Sequence, residues 1–294
     1  MSLAPALSVA LKLGRISNLP TVWTNTLVGV TLAGGSALDP RLPLLLVALS
    51  LLYIGGMFLN DAFDREFDAR SRPERPIPSG QVSAATVFGA GFGMLAIGVF
   101  VLVLAGAAVT GGTGWRPALA GTALGAAIVL YDAWHKNNPL SPVLMGVCRL
   151  LVYITAGVAI SATLGLDLLI AAAMLLSYLI GLTYTAKREH LNELGSVWPL
   201  AALAVPVIYG AALALSTPLV WPFLLLFTGC IVYALRLLRR RARGDVPRAV
   251  VSLIAGISLL DAVILCAAGA PALAAVALAA FALTLAMQKL VSGT

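Results

Sequence analysis

Long apolar segments separated by short polar ones run through almost the whole chain. Each segment is about twenty residues long, the length at which an α-helix crosses about 30 Å of hydrocarbon. The pattern predicts ten membrane spans, at residues 18–38, 42–63, 83–108, 116–134, 141–163, 166–186, 197–215, 218–238, 248–268 and 271–289. The breaks at 216–217 and 269–270 are the shortest, and nine spans are also compatible with the pattern.

Polar positions gather on one side of the predicted bundle. If ten spans alternate in direction, sixteen of the nineteen Lys and Arg residues fall on the side that holds both termini. Arg41 and Arg116 fall on the other side, and Arg149 falls within a span. By the positive-inside rule the charged side faces the cytoplasm. The basic cluster at 236–245 is thus interpreted as a topology signal, with contact to anionic lipids as a secondary role.

Composition agrees with an integral, multi-pass membrane protein. Of 294 residues, 60% are hydrophobic and 11% are charged, which excludes an ordinary soluble enzyme. The net charge of +7 follows from topology, so we expect no nucleic-acid partner. The three cysteines lie within apolar segments and have no metal-site or disulfide spacing. We expect an all-α transmembrane bundle of nine to ten helices that forms one domain, 1–294.

An acidic cluster follows the second span. Asp61, Asp64 and Asp68 stand at i, i+3 and i+7, so on a continuous helix they share one face. Three like charges repel unless a cation joins them, and carboxylates suit Mg²⁺ that bridges to phosphate oxygens. The alternative is a solvated helix end paired with nearby arginines. The adjoining Asn60 at the membrane boundary favours the metal interpretation.

Further polar groups are predicted on the same side of the bundle as the acidic cluster. A Pro-rich loop at 70–80 cannot continue the helix and returns Arg72 and Arg75 over the carboxylates. Polar clusters also follow the fourth span, at 131–138, and the sixth, at 184–196. Glu189 and Glu193 stand at i and i+4 and could hold a second cation, or could lie in a solvated loop. His135 and His190 lack a zinc spacing and are interpreted as interfacial polar residues.

Three polar residues lie within predicted spans: Asn25, Arg149 and Asp261. Burying such side chains in hydrocarbon costs free energy, so we interpret each of them as a candidate functional residue. Arg149 lies about two helical turns from the charged end of its span, within reach of a phosphate in a cavity that opens there. A structural ion pair between Arg149 and Asp261 is the alternative.

These motifs resemble those of the UbiA superfamily of intramembrane prenyltransferases, including its 4-hydroxybenzoate polyprenyltransferase-like members. Residues 60–68 match the family signature NDxxDxxxD, residues 75–80 read RPIPSG where the family has RPLPSG, and Tyr131 to Lys136 are similar to its Tyr…Lys element. One departure is clear, because the family's second signature, DxxxD, is replaced by Glu189-x-x-x-Glu193. The family also implies nine helices.

The resemblance implies a bundle around a central cavity, with Mg²⁺ as cofactor and a prenyl diphosphate as substrate. The implied metal ligands are Asn60, Asp61, Asp64 and Asp68, with Glu189 and Glu193 as a weaker second set. The basic residues implied to stabilise the departing pyrophosphate are Arg75, Lys136, Arg72, Lys187 and Arg188. The other substrate-binding candidates are Asn25, Arg149, Tyr131 and Tyr184. An apolar cavity would protect the allylic cation from water, and tyrosine faces at 53, 131, 153 or 184 could stabilise it.

The leading functional hypothesis is a Mg²⁺-dependent transferase that moves a prenyl group to a lipophilic acceptor, aromatic acceptors included. The alternatives are a terpene cyclase of the same family, a transporter or lipid carrier, and a catalytically degenerate family member. Expected partners are the prenyl diphosphate, the acceptor and membrane lipids. The sequence leaves the acceptor, the prenyl chain length and the oligomeric state open.

Overall fold

The computed structural model describes residues 3–136, 138–189 and 198–291, with segments 3–5 and 186–189 described as helix backbone only. All regular structure in these residues is helical, which confirms the predicted all-α class. The α-helices α1 to α12 span, in chain order, Leu3–Leu13, Leu19–Leu32, Leu42–Phe63, Arg65–Ser71, Ala84–Ala107, Arg116–Trp134, Ser141–Ile160, Leu166–Glu189, Trp198–Ser216, Trp221–Arg240, Asp245–Ala267 and Pro271–Met287. Short 3₁₀ turns at Ile16–Asn18 and Pro218–Val220 lead into α2 and α10.

Eight helical segments of the described chain are long and apolar enough to cross a membrane. They comprise α3, α5 to α9, α10 with its preceding turn, and α11. The remaining two of the ten predicted spans are shorter helices, α2 with 14 residues and α12 with 17. Helix α2 is nevertheless an interior element, because 11 of its 14 residues are buried. Hydropathy alone could not separate a short buried helix from a full span, since both are apolar.

The helices pack around a centre formed by α2 and α11. Helix α2 lies against α3, α7, α11 and α12, and α11 also contacts α8, α9 and α10. Close approach of α2 and α7 depends on Gly29, where an added Cβ would stand 2.5 Å from the carbonyl oxygen of Tyr153. Small residues permit such packing in lipid, where no hydrophobic force draws helices together.

Contacts between loops show which helix ends lie together. At one face, here named the motif face, Arg15 before α2 binds Asp61 at the end of α3. At the opposite face, Arg41 donates to the carbonyl oxygens of Gly111 and Ala159 in the loops after α5 and at the end of α7. Helix ends thus alternate between two faces as the sequence predicted.

The motif face is covered by α1 and by the Pro-rich loop that follows α4. Val9 and Leu13 of α1 form a small apolar cluster with Ala62 and Val87, against which Ile77 of the loop packs. The loop reverses at Gly80, whose φ of +74° lies in the left-handed region that glycine adopts without strain. This cluster holds the loop against the end of α3.

Candidate active site

Four acidic or amide side chains are buried together at the motif face. Asn60 and Asp61 lie in the last turn of α3, Asp64 lies between α3 and α4, and Asp68 lies in α4. Helical hydrogen bonding continues across the junction, because the amides of Asp64 and Asp68 donate to the carbonyl oxygens four residues earlier. All four residues are less than 8% exposed. The helical register therefore places the motif on one inward-facing side.

Two arginines neutralise the first and last carboxylates of the motif. Arg75 Nη1 lies 2.8 Å from Asp68 Oδ2 and 3.2 Å from Asp61 Oδ1, so one guanidinium nitrogen stands between both acids. Arg15 Nη2 donates to Asp61 Oδ1 at 3.1 Å and to Asn60 Oδ1 at 3.0 Å. Arg15 is in the left-handed conformation, with φ of 42°, which a non-glycine residue seldom adopts outside functional or strained sites.

The middle carboxylate, Asp64, is held by the loop after α6. Lys136 Nζ lies 2.9 Å from Asp64 Oδ2, and His135 Nε2 lies 3.4 Å from Asp64 Oδ1. Burial alone would raise the pKa of Asp64, but its hydrogen bonds to His135 and Lys136 outweigh burial and lower the pKa. His135 Nδ1 lies 3.2 Å from the carbonyl oxygens of Tyr131 and Asp132, so both ring nitrogens face acceptor oxygens.

A fourth carboxylate joins the cluster, and sequence reasoning missed it. Asp132, one turn before the loop that carries Lys136, accepts a hydrogen bond from Asn60 Nδ2 at 3.0 Å. The orientation of the Asn60 amide follows from its partners, because Arg15 can only donate and the Asp132 carboxylate can only accept. Sequence reasoning also gave Arg15 a topological role alone. Arg15 belongs to no local motif, and Asp132 lies within the Tyr131–Lys136 element without being singled out by it. Only the tertiary fold brings both residues to the site.

The donor set fits a hard divalent cation in its chemistry. Three carboxylates and one amide oxygen are the ligands that Mg²⁺ prefers. In the described residues no three His, Cys, Asp or Glu side chains are arranged around a single metal position. However, Arg75 Nη1 marks a point within 3.2 Å of two carboxylate oxygens from Asp61 and Asp68. A positive charge already stands where these acids converge, so Mg²⁺ would have to compete with arginine there.

A cavity of about 300 Å³ opens beside this cluster. Its walls are mainly apolar, and they come from α2, α3, α6, α7, α8 and α11. The charged and aromatic residues that line it are Arg15, Tyr53, Tyr131, Asp132 and Arg149. Arg15 and Asp132 also belong to the acidic cluster, so the charged site and the apolar cavity are continuous.

A chain of polar side chains lies behind one cavity wall. Arg149 Nη1 donates to Asn25 Oδ1 at 3.2 Å, and Asn25 Nδ2 donates to Asp261 Oδ2 at 2.8 Å. Tyr153 donates to the other oxygen of Asp261. Asn25, Tyr153 and Asp261 are fully buried, so only Arg149 of this chain reaches the cavity. The alternative of a direct Arg149–Asp261 pair is therefore replaced by a link through Asn25. The Arg149 guanidinium lies 5.4 Å from the ring centre of Tyr53.

Several candidate residues lie elsewhere. Arg72 is exposed and makes no ion pair with an acid of the described chain. Tyr184 donates to the carbonyl oxygen of Pro139 and packs against Trp198, outside the cavity lining. The remaining candidates, whose side chains lie outside the described residues, are Lys187, Arg188, Glu189, His190 and Glu193.

Fold and site together define an integral multi-pass membrane protein with a cluster of acidic and basic groups at the mouth of an apolar cavity. The chain belongs to the UbiA prenyltransferase family, whose model matches residues 22–185, more than half of the chain. The predicted resemblance is thus confirmed.

Similar proteins and structures agree with this family. A digeranylgeranylglyceryl phosphate synthase of Methanopyrus kandleri is 30% identical over 246 residues, 74% of this chain and 82% of its own length. A protein of the same name from Metallosphaera sedula is 35% identical over 97 residues, about a third of either chain. The solved structure of a digeranylgeranylglyceryl phosphate synthase superposes with a TM-score of 0.63 at 18% identity, covering 90% of this chain and 99% of its own. A UbiA homologue of Aeropyrum pernix K1, solved without ligand, gives a TM-score of 0.57 at 18% identity, covering 85% of this chain and 96% of its own. At such identities the structural likeness concerns the fold alone.

Proposed function

We propose that this protein transfers a prenyl group from a prenyl diphosphate to a lipophilic acceptor, with Asp61, Asp64 and Asp68 holding Mg²⁺ and the diphosphate. One observation carries the proposal: three buried carboxylates and their basic partners adjoin an apolar cavity of about 300 Å³. The charged cluster suits a diphosphate and the cavity suits its hydrocarbon chain. The loop charges favour a site that faces the cytoplasm.

The charges of the site support ionisation of the allylic C–O bond. Bound Mg²⁺ would stabilise the negative charge that develops on the departing pyrophosphate. Arg15, Arg75 and Lys136 are cations already positioned beside the motif, so they can stabilise the same charge without large rearrangement. The apolar cavity walls exclude water from the carbocation. Tyr53 and Tyr131, which line the cavity, present aromatic rings to it.

Arg149 indicates an acceptor with an acidic head group. Its guanidinium lines the apolar cavity, and its one direct hydrogen bond in the described chain goes to the neutral amide of Asn25. A guanidinium has five donors and prefers bidentate contact with phosphate or carboxylate. The names of the relatives imply a product with two geranylgeranyl groups on a glyceryl phosphate. We therefore propose a prenylated glyceryl phosphate, or a lipid alcohol of similar charge, as the acceptor.

The test is prenyl transfer by the purified protein, with Asp68→Asn and Glu66→Gln as matched variants. Both residues lie in α4, but the Asp68 side chain is 2% exposed and the Glu66 side chain is 76% exposed. With Mg²⁺ and labelled prenyl diphosphates, wild type and Glu66→Gln should bind the diphosphate and release pyrophosphate when acceptor is added. Asp68→Asn should lose both.

Two results would contradict the proposal. If the wild-type protein binds no prenyl diphosphate of any chain length, the substrate assignment is wrong. If Asp68→Asn and Glu66→Gln are equally active, the acidic motif is not part of the active site. Product analysis without acceptor separates the cyclase alternative, because a cyclase forms its product from the diphosphate alone.

A further inference from the structure

Asp132 carries a buried carboxylate oxygen without a hydrogen-bond partner among the described residues. Its Oδ1 accepts from Asn60 Nδ2 at 3.0 Å, whereas Oδ2 is buried and has no hydrogen-bond partner in the described chain. The residue is 4% exposed and lines the cavity. Of the buried side-chain atoms in the described residues that lack a partner, it is the only one on an acidic or basic residue. Leaving such a group unpaired is unfavourable, so a partner is expected from outside the described residues, and the cavity that Asp132 lines can supply it.

The position of Asp132 is fixed by groups of the diphosphate site. Asn60 is bound on its oxygen side by Arg15, and its amide nitrogen therefore points to Asp132 Oδ1. With Oδ1 occupied, the carboxylate directs only Oδ2 to a ligand. Asp132 Oδ2 is therefore an acceptor without a partner in the described chain, on a residue that lines the cavity and also binds Asn60 of the acidic cluster.

The missing partner must be a hydrogen-bond donor. A carboxylate oxygen accepts, and the surrounding cavity wall is mainly apolar, which favours a neutral donor over an ion. A hydroxyl group on a lipid meets both conditions.

We propose that Asp132 Oδ2 binds the hydroxyl group of the acceptor and selects for acceptors that are prenylated on oxygen. The inference rests on the proposed function and deepens it. As the bond between the allylic carbon and the diphosphate oxygen breaks, its electron pair leaves with pyrophosphate. A lone pair of the acceptor oxygen forms the new C–O bond, and the hydroxyl proton passes along the hydrogen bond to Asp132.

The test compares Asp132→Asn with Asp167→Asn, a change of the same chemistry at an exposed position in the first turn of α8. Asparagine keeps the size of the side chain but can present an amide donor where the hydroxyl needs an acceptor. We expect Asp132→Asn to lower kcat/KM for the acceptor about 10²-fold or more, the usual range for a positioned proton acceptor. Its Kd for the prenyl diphosphate with Mg²⁺ should equal that of wild type. Asp167→Asn should leave both constants unchanged.

A second arm uses the acceptor. Wild type should prenylate a lipid alcohol and fail on its O-methyl ether, and mass spectrometry should place the new bond on oxygen. Thermal unfolding checks that both variants are folded.

The possible failures point to different conclusions. Parallel loss of diphosphate binding and transfer in Asp132→Asn would assign Asp132 to the diphosphate site and overturn the inference. Undiminished transfer by Asp132→Asn would mean that Oδ2 binds no more than water, and would also overturn it. Absence of diphosphate binding in the wild type would instead overturn the proposed function on which the inference rests.

Discussion

Replacement of Arg75 by Gln should destabilise the protein at low Mg²⁺ concentration, and Mg²⁺ should reverse much of the effect. Among the described residues, Arg75 Nη1 is the one nitrogen that contacts both Asp61 and Asp68. Without it Asp61 keeps Arg15 at 3.1 Å, but Asp68, with its side chain 2% exposed, loses its ion-pair partner. Breaking a buried pair from one side costs about 3–5 kcal/mol.

The lower end of that range applies here. The Arg75 side chain is 15% exposed, and glutamine can still donate one hydrogen bond to Asp68. We therefore expect the free energy of unfolding to fall by about 3 kcal/mol. A divalent cation binding between Asp61 and Asp68 would restore the missing positive charge, so added Mg²⁺ should raise the unfolding temperature of Arg75→Gln more than that of wild type.

The assay is thermal unfolding of purified protein in detergent, followed by tryptophan fluorescence with Mg²⁺ or with a chelator and without substrate. Arg72→Gln is the matched control, because Arg72 lies in the same loop but is exposed and has no ion pair with an acid of the described chain. Equal unfolding temperatures for Arg75→Gln and Arg72→Gln would refute the role given to Arg75. An equal response of both variants to Mg²⁺ would refute the metal position between Asp61 and Asp68.

Two further predictions concern packing and pH. Gly29→Ala should lower the free energy of unfolding by about 1–3 kcal/mol, because its Cβ would stand 2.5 Å from a backbone oxygen of α7. Gly89→Ala is the control, since an added Cβ there meets nothing within 4 Å, and it should be neutral in the same thermal assay. Similar losses in both variants would contradict the close contact at Gly29. The lowered pKa of Asp64 means that its hydrogen bonds to His135 and Lys136 stabilise the fold above the ordinary Asp pKa. This stabilisation is lost as pH falls through the lowered value. The stability difference between wild type and Asp64→Asn should therefore shrink on acidification below about pH 4, and a difference independent of pH would contradict it.

Much of the fold follows from the sequence because the lipid environment leaves few options. A span must be helical and about twenty residues long, so apolar segments and loop charges together predict the helices and their alternation. Helix lengths inside the bundle are less constrained. Helix α2 has only 14 residues yet is almost wholly buried, because it is surrounded by other helices and need not match the bilayer. Its apolar residues therefore resemble those of a full span.

For the candidate site too, local sequence patterns predict some residues, whereas others are brought in from distant parts of the chain by the fold. Asp61, Asp64 and Asp68 share a face because of helical periodicity, which a sequence displays directly. The partners that complete the cluster come from far along the chain, since Arg15 is 45 residues from Asn60 and Asp132 is 72 residues from it. A lone basic residue before a span has the same sequence signature as a topology signal. Only the packing of α2, α3 and α6 distinguishes the two.

Two sets of polar residues within the bundle differ in hydrogen bonding, and this difference supports a structural role for one set and the proposed ligand contacts of the other. Asn25, Tyr153 and Asp261 satisfy one another across three helices, so their burial is compensated within the protein. Asp132 and Arg149 line the cavity, and each is bound to only one amide of the described chain by a direct side-chain hydrogen bond. A buried group that keeps unused donors or acceptors lowers stability unless a ligand completes it. The acceptor that we propose, with a hydroxyl and an acidic head group, would satisfy both residues in the cavity beside the proposed diphosphate site and would thereby offset this cost.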